Sequence, residues 1–319
     1  MKLTRIFHVS DLHGSEFCFS KLLRSIDLYK PNIINVCGDL TGKAIIPIIR
    51  QKDETFVTKF LGTSYVMKSM EELEKVKNEI RVNGWYPWCT TQEELEEFKA
   101  NKKKQDLVFK DLMLESVRRW LLMAEKHLKG KNVKLFLLPG NDDDFIIDQA
   151  FKDLEGDYII NPEGKVVYLD DKHEMISTGY SNTTPWNAPR DIPEEKLMEK
   201  IEDMASRVGN MSSCIFNFHC PPFNTLLDIA PKLDENLTPI MSGGSPLMGP
   251  VGSTAVRKSI EKYGPLLGLH GHIHESRGAE KINRTLCINP GSEYGEGVLH
   301  GCIINIDDKS VKSYLFTSG

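Results

Sequence analysis

Long apolar runs are missing from this 319-residue chain. No uninterrupted stretch approaches the length that crosses a bilayer, so the sequence offers no membrane helix. Excess positive charge is missing too. Forty Lys and Arg stand against 45 Asp and Glu, a net charge of −5, so no basic surface is announced for a nucleic-acid backbone. Cysteine pairing signals are absent: the seven cysteines are odd in number and none stands in C-x-x-C spacing. Most of them (Cys37, Cys214, Cys287, Cys302) lie in apolar runs, where free cysteine behaves as a small hydrophobe, and a reducing cytoplasm is the simplest setting. Met1-Lys2-Leu3-Thr4-Arg5 leads directly into the first apolar run with no leader pattern, which predicts the same compartment. Repeats and low-complexity tracts are also lacking. What remains is ordinary globular composition, 40% hydrophobic and 27% charged, enough for one large domain or two small ones.

Against this plain background stand five short clusters: Asp11-Leu12-His13, Gly38-Asp39, Gly140-Asn141-Asp142, His219, and Gly271-His272-Ile273-His274. Each follows an apolar run: Arg5–Ser10, Ile33–Cys37, Val133–Leu138, Cys214–Phe218 and Leu266–Leu269. Runs of this length followed by turn residues predict buried strands, and strand ends of an open α/β sheet are where sites are built. Three carboxylates, four imidazoles and one amide would then meet at one edge, a donor set suited to a pair of divalent metals. In Asp11-Leu12-His13 and His272-Ile273-His274 the donors are two residues apart, so an extended chain would point both the same way. Asp39 is a lone carboxylate able to bridge two ions through its two oxygens. Gly38, Gly140 and Gly271 allow tight turns at the strand exits. Taken singly, D-x-H, G-D and G-N mark turns, and a histidine inside Phe216–Cys220 would be a core imidazole. Taken together and in order, they point to a dinuclear site.

The series resembles the calcineurin-like metallophosphoesterase superfamily, whose segments run D-x-H, G-D, G-N-[H/D/C]-[D/E], H and G-H-x-H. The match extends from Asp11 to His274, and Asn289-Pro290-Gly291-Ser292 resembles a segment common after the last ligand strand. In detail the chain is similar to predicted phosphoesterases of archaeal type, with G-N-D-D at the third segment. The resemblance implies a metal held by Asp11, His13 and His274, a second held by Asn141, His219 and His272, and Asp39 between them. The ions would be Mn, Fe, Zn, Ni or Co, which all tolerate mixed nitrogen and oxygen donors. It implies phosphoester hydrolysis by a hydroxide bridging the metals, attacking phosphorus in line with the leaving oxygen.

Asp142 departs from the pattern, because many relatives carry a catalytic His there. A carboxyl near two dications is expected to stay ionised and to be a poor acid, which favours diesters or acidic leaving groups over ordinary monoesters. His270 is a candidate substitute acid, though a buried strand histidine is the better account of it. Gly38-Asp39-Leu40-Thr41-Gly42-Lys43 lacks the D-R of protein Ser/Thr phosphatases, and no Tyr joins the expected ligands as in purple acid phosphatases. A phosphodiesterase acting on a nucleotide or other small diester is the leading expectation. The alternatives are a non-catalytic metal- or nucleotide-binding module on the same scaffold, or a nuclease.

The chain alternates strands with helices (Cys18–Leu28, Leu107–Lys129, Pro193–Val208) and closes on a strand-rich stretch over Ile282–Ile288, Gly297–Asp307 and Ser310–Phe316. That pattern fits an α/β (α+β) fold of two packed sheets flanked by helices. The resemblance implies the same, a four-layer αββα sandwich of two mixed sheets spanning the chain. Between 50 and 106 the pattern changes. Ser69-Met70-Glu71-Glu72 and Thr91-Gln92-Glu93-Glu94 are capping boxes, the second opening a helix that fades at Lys102–Lys104. This predicts a small β-α-β-α cap in which Trp85, Tyr86 and Trp88 either stack on substrate or form a mini-core. The polar loop Ser181–Asp191 offers Trp186 and Arg190 as substrate contacts, Arg190 for a phosphate or else paired with an acid near Asp191 and Glu194. The long segment Cys220–Ser253, directly after a ligand histidine, predicts a functional loop.

Overall fold

The computed structural model describes residues 3–319; Met1 and Lys2, where the absence of a leader was read, lie outside the described residues. Two six-stranded mixed sheets form the centre. The first runs Val311–Ser318, His300–Ile306, Thr4–Val9, Ile33–Cys37, Lys134–Leu138, Ile159–Ile160. The second runs Gly278–Ile282, Thr285–Asn289, Leu267–Leu269, Ile215–Phe218, Glu174–Thr178, Val166–Tyr168. All five strands expected before the site clusters are present within a residue of the apolar runs. In each sheet the strands that lead into the site clusters are parallel to one another, so their C-terminal ends share one edge.

Strand periodicity sorts the side chains into layers. Ile6, Ile33 and Phe136 face inward and pack with Met175, Ile215, Leu267 and Ile288 of the second sheet. Their neighbours Phe7, Ile34, Leu135 and Leu137 face outward into a cluster with helices α1 (Glu16–Tyr29), α4 (Lys102–Leu128) and α5 (Asp148–Leu154). On the far side, α6 (Glu194–Ala205) and α7 (Thr254–Tyr263) cover Ile176, Phe216 and Phe218. The result is the expected αββα sandwich. Both faces of these strands are buried, which is why they read as continuous apolar runs and not as alternation.

The insertion holds α2 (Met70–Val82) and α3 (Gln92–Ala100) on a four-stranded sheet ordered Thr63–Met67, Phe56–Phe60, Ile45–Arg50, Tyr86–Thr90. Its first strand begins at Ile45, before the composition changes, and Phe56–Met67 is a hairpin turned by Leu61 and Gly62, both at positive φ. Lys102–Lys104 does not end a helix. The Asn101 side chain accepts from Lys103 N and Lys104 N, so the lysine run is the first turn of α4, which starts five residues before the expected Leu107. Cys220–Ser253 is not one open loop. Ile229–Pro231 pairs with Met248–Pro250 and Met241–Ser242 with Ser245–Pro246, making a hairpin arm that turns at Gly243-Gly244.

Candidate metal centre

The candidate donor segments leave their strands through left-handed backbone. Asp11, His13, Asp39 and His272 have φ of 55°, 41°, 51° and 69°. Such conformations cost side-chain-bearing residues energy and persist where surrounding structure holds them. This corrects the expectation from spacing: Asp11 and His13 lie beyond Val9, where the strand ends, and it is curled backbone, not the pleat, that turns both donors to one point. The turns leave no room for side chains beside them. A Cβ at Gly38 would lie 2.1 Å from the His219 ring, one at Gly140 2.1 Å from Asp39 Oδ1, and one at Gly271 1.7 Å from Ser10 Oγ.

Two donor groups that share no residue result, Asp11 with His13 and His274, and Asp39 with His219 and His272, each with its atoms within 4.8 Å of one another. His13 Nε2 and His274 Nε2 are 3.1 Å apart, and Asp11 Oδ1 lies 3.4 Å from His274 Nε2. Asp39 lies between the groups: Oδ2 is 3.5 Å from His13 Nε2, and Oδ1 is 3.5 Å from His219 Nε2. Asn141 Oδ1 is 3.0 Å from His219 Nε2. The first sheet supplies Asp11, His13, Asp39 and Asn141, and the second supplies His219, His272 and His274.

Electrostatics follow from burial against mutual charge. Burial pushes Asp11 up, but His274 and His219 outweigh it and hold the carboxyl at about 2; Asp39 is likewise driven well below the carboxylate range by His219, His13 and His272 against its burial. Burial drives His13 and His272 down to about 4. Burial also opposes charge on His219 and His274, yet Asp39 and Asp11 respectively keep both raised. The two buried carboxylates thus favour positive charge on the donors beside them. Divalent ions would supply that charge, and the mixed N/O donor set fits them.

Outer contacts aim the donors. The His219 Nδ1–H donates to Cys37 O at 2.7 Å, which turns Nε2 toward the site. Asn141 donates through Nδ2 to Asp191 Oδ1 at 3.1 Å, which leaves its Oδ1 free to ligate. Asp143, which nothing in the sequence singles out, is buried and accepts from Gly140 N, Leu40 N, Thr41 N and Thr41 Oγ1, tying the Asp39 loop to the Asn141 loop. His272 N donates to Asp11 Oδ2 at 3.0 Å, and Ser292 Oγ donates to Asp11 O at 2.7 Å. Asn289 Nδ2 donates to Ile273 O at 2.9 Å, so the N-P-G-S segment clamps the last ligand turn. Tyr294 packs on the His13 ring with centroids 4.6 Å apart.

The remaining singled-out residues divide. Asp142 is at the site, with its carboxylate grouped with His13 and Asp39 and its N–H donating to Asp39 Oδ1 at 3.1 Å. Burial and the Asp39 charge raise its pKa, with Lys43 opposing; the ionised state expected of it is one beside two dications, whose charge would lower it. Arg190 is not open to substrate. It is 2% exposed, donates to Asp143 O and to Asp148 Oδ1, and lies over the Phe145 ring, so it braces the Asn141–Asp143 turn. Its acid partner is Asp148, not one beside Asp191 or Glu194. Trp186 is 65% exposed. His270 is fully buried, bonded through Nδ1 to Phe218 O and held by burial at about 4, a core histidine beneath the site. Trp85 packs on Phe60 and Trp88 on Phe98 within the insertion, whereas Tyr86 is buried in the main core and its hydroxyl accepts from Gly42 N.

No family model matches the chain. An uncharacterised protein of Methanocaldococcus jannaschii, MJ1162, is 30% identical over 161 residues, 50% of this chain. The chain spans 64% of that relative's length. Among solved structures, one crystal structure aligns over 99% of both chains at TM-score 0.63 and 17% identity. The protein TT1561 of Thermus thermophilus aligns over 100% of this chain and 99% of its own at TM-score 0.57 and 12% identity. The two structures share this fold along its length.

Proposed function

We propose that the chain is a metal-dependent phosphoester hydrolase of the calcineurin-like metallophosphoesterase kind, working on a small phosphodiester such as a nucleotide, in the cytoplasm. The observation that carries this is Asp39, whose two oxygens each stand 3.5 Å from a histidine of a different donor group. A single carboxylate shared that way is what a two-metal site requires. Asp11, His13 and His274 would hold one ion, and Asn141, His219 and His272 the other. When bound, such a pair supplies Lewis acidity toward phosphoryl oxygens and lowers the pKa of water. The chain's own part is to fix donor geometry: Cys37 O sets the His219 tautomer, and Asp191 orients the Asn141 amide. Asp142 stands where a leaving-group acid is expected and is tied to Lys43 at 2.5 Å, which supports diesters or acidic leaving groups over ordinary monoesters.

The test is to strip the protein with chelator, reload it with manganese, and assay matched aryl mono- and diesters alongside metal content. Two ions per chain and diester turnover that vanishes on stripping are expected. Two ions without turnover on any ester would make the chain a metal-binding module instead.

A further inference from the structure

Lys43 ends the segment Gly38-Asp39-Leu40-Thr41-Gly42-Lys43, and its backbone approach is fixed. Leu40 N and Thr41 N donate to Asp143, and Gly42 N donates to the Tyr86 hydroxyl at 2.6 Å. The side chain beyond is 54% exposed and reaches Asp142 Oδ2 at 2.5 Å. The Asp142 carboxylate in turn lies within 4.8 Å of donor atoms of His13 and Asp39. The ammonium therefore sits at the mouth of the donor set. Arg190, the cation expected to meet a phosphate, is taken by Asp148.

A half-exposed Lys–Asp pair contributes little to folding, so stability gives no account of this placement. Charge does. An anionic phosphoryl group entering the site would meet the Asp142 carboxylate at close range, and Lys43 offsets that repulsion. An ammonium also has three donors, of which Asp142 occupies one. We propose that Lys43, anchored by Asp142, binds a phosphoryl oxygen of the substrate at the mouth of the metal site. This rests on the two-metal reading above and adds a protein-borne anion contact to it.

The experiment is calorimetric titration of inorganic phosphate into the manganese-loaded protein, with metal content measured on every variant. Lys43→Gln should keep its metal and bind phosphate at least about tenfold more weakly, the scale of a lost charge-assisted hydrogen bond. Lys43→Arg should stay within about threefold of wild type, since a cation remains. Adding Asp142→Asn to Lys43→Gln should recover part of the loss, because the uncompensated carboxylate is gone. If Lys43→Gln binds phosphate like wild type, or loses its metal, the Lys43 proposal is overturned. If wild-type binding is the same with and without metal, the two-metal reading itself fails, a result distinguishable from the first.

Discussion

The ligand edge and the inserted sheet lie side by side and are held by opposite means. The edge is fixed by polar contacts on curled backbone: four donor residues at positive φ, glycines that admit no Cβ, and the Asp143 carboxylate with four donors on it. The insertion is held by a small apolar core of its own, Ile48, Phe60, Met67, Leu73, Val76 and Ile80. They meet where Gly14, Gly42 and Gly84 pack backbone on backbone, a Cβ on Gly42 falling 2.1 Å from Gly84 O. The difference teaches that accuracy at the site comes from directional bonds, whereas a neighbouring element needs only burial to hold together.

Substitutions should separate the two modes. Asp39→Ala should have the largest effect on the centre. A carboxylate facing both donor groups serves both ions, so metal content and activity should each fall by more than about a hundredfold, beyond the range for supporting residues. Retention of two ions per chain in that variant would remove Asp39 from its role. Asp143→Ala comes next. It leaves several buried N–H groups unpaired, at a cost on the order of 3 kcal/mol, and should weaken metal binding about ten- to a hundredfold. Asp143→Asn, which keeps an acceptor, should lose less on both counts; equal losses would mean the turn is not held by these bonds. Phe60→Ala should act least on the centre. A cavity in the insertion's core costs about 3–5 kcal/mol, readable in thermal unfolding, while metal content stays at the wild-type value. Metal loss in Phe60→Ala would show that the insertion holds the ligand edge in place, and the contrast between the two modes would collapse.

The sandwich was legible because strands buried on both faces must be apolar throughout, and the donor residues were legible because each follows such a run. The supporting residues were not. In Asn141-Asp142-Asp143-Asp144 the residue types are nearly interchangeable, and only the fold assigns one to the site and another to the loop N–H groups. Arg190 looked available because its loop is polar; its burial depends on Asp148 and Phe145, some forty residues earlier in the chain. The start of α4 was missed because a lysine run read as a fading helix, when Asn101 before it is a cap. Ile45–Arg50 was missed as part of the insertion because it pairs with Tyr86–Thr90, far along the chain.

Beneath the site, the layer between the sheets changes character. Asn35 Nδ2 donates to Asn217 Oδ1 at 2.7 Å, Asn217 Nδ2 donates to Ser177 Oγ at 3.1 Å, and His8 Nε2 contacts His270 O at 2.9 Å. Greasy faces alone permit two sheets to slip along one another at little cost, since apolar contact has no direction. A buried bond from one sheet to the other does not permit it, because a slip of one residue would strand its donor. With some donors carried by one sheet and the rest by the other, this rung works as an index mark. It sets the two halves of the donor edge at a fixed offset.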